Sequence, residues 1–297
     1  MDGVLAINKP SGMTSHDVVQ AVRRIVREKR VGHTGTLDPL ATGLLVLCVG
    51  KATRIARYLE AGEKEYTAVM RLGVITDTQD SEGRILETRT YIPPVRESII
   101  GIMERFTGSI MQEPPAFSAI KVSGVPSYKL ARQGKAKPLA PRLVTISRID
   151  LIEYDDPFIR LSVRCSKGVY IRTLCADIGN ALGMGAHLTG LVRTRSGRFR
   201  LDNAVTLESL REAAASATVE RALVSIDESL AEFPVATIDE AGAGKVVHGN
   251  SISWPEMQRV GQDALLRVHG PSGSLLAVAR ATAGILKPEV VFAKSNE

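Results

Sequence analysis

The order of strand-like and helix-like patterns constrains the fold of this chain more than any other feature. Residues 66–72 place Tyr, Ala, Met and Leu at every second position, and residues 159–165 do the same with Ile, Leu, Val and Cys. Such alternation is typical of strands with one buried face. Residues 14–26 and 94–106 instead show helical spacing of apolar side chains, with Thr14 and Asp17 as the cap of the first helix, and residues 206–230 are predicted as a further helical segment. Because the two patterns do not alternate strictly, we predict an α+β fold with a central, mostly antiparallel sheet.

Charge is distributed unevenly along the 297 residues. The net charge is +6, yet residues 233–297 hold six basic and six acidic side chains, so the whole excess lies in residues 1–232. Short strand patterns at 265–269 and 274–279 flank a Gly-Pro-Ser-Gly turn, which favours a small β-rich barrel or sandwich. We therefore predict two domains, residues 1–232 and 233–297.

Two basic runs without any acidic residue stand out in the longer part. Residues 114–149 contain seven lysines and arginines, and residues 178–201 contain four arginines. A single run of this kind is as often a solvated face as a binding surface. Two such runs in one chain favour contact with the phosphates of a nucleic acid.

Several classes of protein are excluded by composition. No apolar run approaches the roughly 18 residues of a membrane span, and the first residues lack the basic and then apolar pattern of an export signal. Three cysteines without a C-x-x-C pair exclude a zinc ribbon and disfavour a disulfide framework, so we expect buried thiols. We expect a cytoplasmic protein that does not bind membranes.

The densest motif is RVGHTGTLDPLATG at residues 30–43. Its glycines permit an irregular backbone, and Asp38 before proline occupies a helix-start or turn position. On the motif alone, Asp38 fits a helix cap and His33 fits a turn-stabilising side chain. No segment of the chain reads G-x-x-x-x-G-K-[ST], since Gly50-Lys51 is followed by alanine, so the glycine-rich motif is not a phosphate-binding P-loop. A nucleotide-hydrolysing enzyme that uses this loop is thereby excluded.

Six segments together resemble the bacterial tRNA pseudouridine synthase B family. GHTGTLDPLATG resembles its catalytic-aspartate motif and INKPSGMTSHDVV its N-terminal KP motif. KEYTAVMRLGVITDTQDSEG resembles its tyrosine-bearing strand, PPAFSAIKVSG its inserted RNA-contacting segment, and CSKGVYIRTL with GAHLTGLVRTRSG its arginine and leucine motifs. The resemblance implies the pseudouridine-synthase fold for residues 1–232, with the RNA-binding insertion at about 114–149, and a PUA-like RNA-binding domain at 233–297.

Matched motif by motif, the resemblance assigns roles to single residues. It makes Asp38 the catalytic nucleophile, Arg172 its guanidinium partner and Tyr66 a catalytic aromatic beside the base. Without the resemblance, the same residues fit an ordinary ion pair and core aromatics. The remaining implied residues are His33, Tyr66, Tyr170 and Leu191 at the substrate base, and Lys9 and Pro10 as support for the pocket. The expected contacts to the RNA backbone are Lys121, Lys129, Arg132, Lys135, Lys137, Arg193 and Arg195.

The implied function is isomerisation of the T-loop uridine of tRNA, at position 55, to pseudouridine. The base must be flipped out, detached from the sugar and rejoined through carbon, and a carboxylate such as Asp38 can act in that exchange. We expect no metal and no organic cofactor, a tRNA T arm as partner, no required protein partner, and a monomer. A non-catalytic RNA-binding or tRNA-folding protein on the same scaffold is the alternative, although such a protein has no need to retain Asp38, Tyr66 and Arg172 together.

Overall fold

The computed structural model describes residues 1–135, 137–255 and 261–292. The strands are β1 (Gly3–Lys9), β2 (Val31–His33), β3 (Thr42–Val49), β4 (Lys64–Leu72), β5 (Val74–Thr76), β6 (Ile85–Thr88), β7 (Gly108–Gln112), β8 (Lys121–Val122), β9 (Val125–Pro126), β10 (Arg142–Asp155), β11 (Phe158–Cys165), β12 (Ala186–Ser196), β13 (Phe199–Arg200), β14 (Val235–Thr237), β15 (Ile252–Ser253), β16 (Leu265–His269), β17 (Leu275–Thr282) and β18 (Ile285–Val291). The helices are α1 (Ser15–Val26), α2 (Ala56–Glu60), α3 (Arg96–Glu104), α4 (Ser127–Arg132), α5 (Ile171–Ala181), α6 (Leu207–Ala215), α7 (Ile226–Ser229) and α8 (Glu240–Val246).

A nine-stranded sheet forms the centre of the molecule. Its order is β1-β3-β12-β4-β11-β10-β7, with β2 beside β3 and β13 beside β12. The pairing of β3 with β12 is parallel and the other pairings are antiparallel. The two alternating segments of the sequence are β4 and β11, which pair directly with each other. The predicted α+β class with a mostly antiparallel central sheet is confirmed.

Helices cover one face of this sheet. Val18 and Val22 of α1, Leu174 of α5 and Leu210 of α6 share one core with Met70 of β4. The predicted start of α1 is confirmed: the Thr14 side chain accepts from the Asp17 amide (3.1 Å), and the Asp17 carboxylate accepts from the Thr14 amide (2.9 Å). This reciprocal capping satisfies two amides that the first helical turn leaves unpaired. The predicted helical segment 206–230 is broken into α6, a 3-10 turn at Val219–Ala222 and α7.

Strand β3 is buried on both of its faces. Leu45 and Leu47 join the core under the helices, while Val46 and Cys48 join a second core that includes Val278 and Val290 of the C-terminal sheet. A strand covered on both sides is expected to be continuously apolar, and this explains the uninterrupted run at residues 44–49.

The C-terminal sheet has the strand order β14-β16-β17-β18-β15. It encloses its own small core around Trp254, Leu266 and Val268, as expected for a small β domain. Polar contacts join this sheet to α2, since Glu289 of β18 accepts from the Tyr58 hydroxyl (2.6 Å) and from Arg57 (2.8 Å). The predicted barrel-like C-terminal fold is confirmed, whereas the boundary between residues 232 and 233 stays a prediction; residues 256–260 and 293–297 lie outside the described residues.

None of the helices in the described part of the chain is long and apolar enough to span a membrane.

Candidate active site

Asp38 lies at the first position of a tight turn between β2 and β3. The Ala41 amide donates to the Asp38 carbonyl (3.1 Å), and Pro39 occupies the second position, where its restricted φ suits such a turn. Of the two placements that the sequence left open, the structure shows the turn. Ser15 of α1 holds the preceding residue: its hydroxyl accepts from the Leu37 amide (2.7 Å) and donates to the Leu37 carbonyl (3.0 Å). The backbone leading to Asp38 is thereby tied to a helix.

Lys9 supports the other side of the same turn. Its ammonium is buried and donates to the carbonyls of Pro10 (2.9 Å), Met13 (2.6 Å) and Pro39 (3.2 Å). Burial lowers the pKa of Lys9 to about 8, and the nearby Asp38 carboxylate opposes that change. The KP segment therefore contacts the turn that carries Asp38.

Arg172 pairs with Asp38 across 134 residues of sequence, with Nε at 2.9 Å from Oδ2 and Nη2 at 3.4 Å from Oδ1. It also donates from Nη1 to the Thr78 carbonyl (3.0 Å) and from Nη2 to the Phe117 carbonyl (2.9 Å). The Arg172 side chain is 5% exposed and that of Asp38 is 37% exposed. A buried cation thus orients a carboxylate that a ligand can still reach.

A second carboxylate lies beside Arg172 and was not singled out from the sequence. Asp80 Oδ2 is 3.6 Å from Arg172 Nη1, and the Asp80 side chain is 6% exposed. Asp80 also accepts from the Thr78 hydroxyl (2.5 Å) and from the Glu82 amide (3.1 Å). Its only signal in the sequence is an acid-rich turn after a strand, a pattern that more often marks a loop.

The two tyrosines expected at the base lie close to the Asp38 charge. Burial raises the pKa of Tyr66 and of Tyr170, and the Asp38 carboxylate contributes to both increases. Gln112 holds the backbone of Tyr170 on both sides, accepting from its amide (2.8 Å) and donating to its carbonyl (3.1 Å). Both phenols are therefore neutral at physiological pH.

Leu191 and His33 complete the predicted set around the base. Leu191 of β12 pairs with Ala68 of β4 and is almost fully buried. His33 ends β2, and its Nδ1 accepts from the Gly35 amide (3.3 Å). Burial lowers the pKa of His33, so its ring is neutral at pH 7 and carries its hydrogen on Nε2.

Sequence comparison agrees with this arrangement. The family profile described as "TruB family pseudouridylate synthase (N terminal domain)" matches residues 23–171, and that of the "tRNA pseudouridylate synthase B C-terminal domain" matches residues 172–231. The chain belongs to the TruB family. It is accordingly a tRNA pseudouridine synthase, an isomerase, and the resemblance inferred from its motifs is confirmed.

Individual TruB relatives match almost the whole chain. It is 42% identical over 292 residues to tRNA pseudouridine synthase B of Burkholderia mallei (strain NCTC 10247), covering 97% of this chain and 96% of the relative. Identity to tRNA pseudouridine synthase B of Geotalea uraniireducens (strain Rf4) is 43% over 285 residues, or 95% and 92% of the two chains. Among solved structures, a chain of a Cbf5-Nop10-Gar1 complex superposes with a TM-score of 0.78 at 27% identity, covering 98% of this chain and 85% of the other.

Arg193 and Arg195 of the TruB chain lie on opposite faces of the central sheet. In the pairing with β4, Arg193 faces Tyr66 and Arg195 faces Glu65, with a register shift between them. Residues two apart on a regular strand share a face, but the extra residue of a β-bulge reverses this. Arg195 is half-buried and pairs with Glu65 on the face away from Tyr66.

The burial of Arg193 disfavours the phosphate contact that was predicted for it. The residue is 2% exposed, and its guanidinium donates to the carbonyls of Leu44 (2.8 Å), Thr36 (3.3 Å) and Gly35 (3.1 Å). A side chain that is buried, and whose three nitrogens each donate to a backbone carbonyl, is not presented to an RNA phosphate at the surface.

The inserted basic segment contacts the candidate site of this TruB chain through its backbone, while its basic side chains are exposed to solvent. The Phe117 carbonyl in this segment accepts from Arg172 (2.9 Å), while α4 stacks Arg132 over the Tyr128 ring at 5.7 Å. The predicted RNA-contacting residues of the segment are all exposed, namely Lys121, Lys129, Arg132, Lys135 and Lys137.

Proposed function

We propose that this enzyme isomerises the T-loop uridine of tRNA, at position 55, with Asp38 as the nucleophile. One observation carries the proposal: Asp38 is the reachable end of an ion pair whose other member, Arg172, is buried beneath it. The guanidinium donates to both carboxylate oxygens and so orients Asp38. The bonds that Arg172 donates to the Thr78 and Phe117 carbonyls fix the guanidinium itself in place.

The reaction requires cleavage of the C–N glycosidic bond, rotation of the base and formation of a C–C bond. A carboxylate can take part by adding to the base or to the sugar, while the detached base stays trapped. Tyr66, Tyr170 and Leu191 border the space for this base, where a ring can stack on it and Leu191 can pack against it. Neutral His33 accepts a hydrogen bond from the Gly35 amide and is suited to fill the space that the flipped nucleotide vacates.

RNA binding is assigned mainly to the exposed cations of the inserted segment, residues 114–149. Lys121, Lys129, Arg132, Lys135 and Lys137 lie on a part of the chain whose backbone contacts Arg172, so a phosphate held there is close to the active site. Arg195 is kept as a weaker candidate, because Glu65 already neutralises part of its charge. We propose residues 1–232 as the catalytic domain of a monomer that needs neither cofactor nor protein partner, and residues 233–297 as a PUA-like RNA-binding domain.

The Asp38→Asn variant tests the catalytic assignment. An amide cannot act as the nucleophile, so pseudouridine formation on a transcribed tRNA should fall below detection, while the Kd for tRNA stays within about threefold of that of the original protein. Asp202→Asn, at a carboxylate that is 80% exposed, is the matched control and should keep full activity. Turnover by Asp38→Asn would refute the role of Asp38, and mapping the product to another nucleotide would refute the T-loop assignment.

Single alanine substitutions of the five exposed cations test the RNA-binding surface. Each should weaken tRNA binding at low salt and reduce the slope of log Kd against log salt concentration by at most about one unit. Lys29→Ala, at an exposed lysine after α1, is the control with an unchanged slope. An unchanged slope for all five variants would refute the phosphate contacts.

A further inference from the structure

Arg193 is a buried cation to which the proposed reaction assigns no role. Its guanidinium is bound by three backbone carbonyls, and no carboxylate among the residues described here lies within ion-pair distance of it. Burying a charge without a counter-charge is costly unless its hydrogen bonds are complete. We therefore expect the hydrogen-bonding geometry of this cation to serve a purpose in the site.

The three carbonyls belong to the two ends of the loop that carries Asp38. Gly35 and Thr36 precede Asp38 by three and two residues, and Leu44 follows the loop on β3. The planar guanidinium therefore spans the loop at its base, while Lys9 and Ser15 hold the turn itself.

Close approach of two backbones brings Arg193 to this loop. Arg193 pairs with Gly43 in the parallel β3–β12 contact. Gly43 has φ +92, and a Cβ there would lie 2.5 Å from the Arg193 carbonyl oxygen. Only glycine at this position permits both the left-handed backbone and the close approach of the strands.

Arg193 also faces Tyr66 directly across the β4–β12 pair. Its positive charge lowers the pKa of Tyr66, against the larger and opposite effect of burial. A guanidinium has only donors, so in a hydrogen bond between the two side chains the Tyr66 oxygen would accept. One side chain thus holds the Asp38 loop and faces Tyr66.

We propose that Arg193 is a positioning residue of the isomerase, which locks the Asp38 loop and the Tyr66 hydroxyl into one arrangement and does not contact RNA. The proposal rests on the proposed roles of Asp38 and Tyr66. It also explains how two arginines two positions apart serve different purposes, since the bulge between them turns only Arg193 toward the site.

The variants Arg193→Lys and Arg193→Met test this role by separating chemistry from binding. Lysine keeps a charge but cannot span the three carbonyls while facing Tyr66, so we expect the single-turnover rate to fall about 10- to 100-fold, as for one or two lost charge-assisted hydrogen bonds. Methionine should lower the rate further, and lysine should therefore rescue part of its loss. The Kd for tRNA and its salt slope should stay within about twofold for both. Arg160→Lys, on the exposed side of β11, is the control with unchanged rate and affinity.

Coupling to Tyr66 is measured by a double-mutant cycle. In a Tyr66→Phe background the hydroxyl that Arg193 is proposed to position is gone, so Arg193→Lys should cost at least threefold less in rate than it does in the original enzyme. Melting temperatures and circular dichroism establish that the compared variants are folded.

Three results would overturn the proposal. The first is weaker tRNA binding with a reduced salt slope and an unchanged rate, which would indicate a phosphate contact. The second is strict additivity with Tyr66→Phe, and the third is failure of both Arg193 variants to fold, which would make the residue purely structural. Rates of all variants are compared on the uridine that the original enzyme converts. An error in the T-loop assignment would therefore appear in the product map of the original enzyme, and an error in the Asp38 assignment would appear as activity of Asp38→Asn.

Discussion

Replacing Arg172 with lysine would keep a positive charge near Asp38 and remove the planar fork. The guanidinium reaches four oxygens in two directions: both carboxylate oxygens of Asp38, and the carbonyls of Thr78 and Phe117. An ammonium on an unbranched chain cannot approach all of them at once. We therefore expect Arg172→Lys to lose at least two of these hydrogen bonds.

The size of the effect follows from those contacts. Hydrogen bonds to a charged group contribute about 1.5–3 kcal/mol each, so two of them represent ~3–6 kcal/mol. The Asp38 side chain is 37% exposed, and solvent screening places its share at the lower end. Lys9 and Ser15 continue to hold the turn, so we assign about half of the loss, ~1.5–3 kcal/mol, to the transition state. At 1.36 kcal/mol per factor of ten, the rate should fall about 10- to 150-fold.

A single-turnover assay on transcribed tRNA, with enzyme in excess, measures that rate without interference from product release. Affinity for tRNA, measured in parallel, should change little because Arg172 is buried. Arg160→Lys again provides the matched control at an exposed arginine. A rate within threefold of the original enzyme would refute the reasoning, because it would mean that charge alone suffices and the fork has no catalytic purpose.

Three further changes should alter the free energy of unfolding, measured with urea. Burial raises the pKa of Asp177 to about 6, with Glu113 contributing, so between about pH 4 and 6 the folded state binds more protons than the unfolded state, and above pH 6 the full cost of the buried charge is present. Asp177→Asn should therefore stabilise the protein by ~1–2 kcal/mol at pH 7 and lose that gain near pH 4. An effect that does not depend on pH would contradict this prediction. Gly43→Ala should destabilise by more than ~2 kcal/mol, because it adds left-handed strain and a clash, whereas Gly101→Ala in α3 has open space and should stabilise by ~0.5–1 kcal/mol; equal effects would refute this account. Burial lowers the pKa of Lys64 to about 8, so between about pH 8 and 10.5 the unfolded state binds more protons than the folded state. As the pH rises through that window, the free energy of unfolding of the original protein should increase by ~1–3 kcal/mol relative to that of Lys64→Met. A difference that stays constant with pH would contradict this prediction.

Local patterns in the sequence sufficed for the fold class and for most elements. The alternation at residues 66–72 and 159–165 predicted β4 and β11, because a sheet with one buried face imposes period two on any sequence that forms it. Thr14 and Asp17 predicted the start of α1, since capping is decided within four residues. The break of the 206–230 segment into two helices was not predicted, because both halves carry helix-forming residues and the chain direction is set by packing on β1.

The candidate site was accessible from the sequence only as separate motifs. The resemblance named Asp38 and Arg172, which are 134 residues apart, but it did not show that the guanidinium also bonds Thr78 and Phe117. Asp80 was missed for the same reason: its closeness to Arg172 is created by β5 and the following turn, and an acid-rich turn has no distinctive pattern of its own.

Arg193 and Arg195 separate what the sequence by itself determined from what only the tertiary structure decided. The sequence determined family, fold class and catalytic motifs, because these depend on residue types at short spacings and on period-two alternation. It treated the two arginines alike, since residues two apart on a regular strand share a face. A one-residue register shift against β4 places Arg193 beside Tyr66 and Arg195 beside Glu65. A bulge depends on pairing with a distant strand, so its consequence for each side chain became visible only once the sheet was assembled.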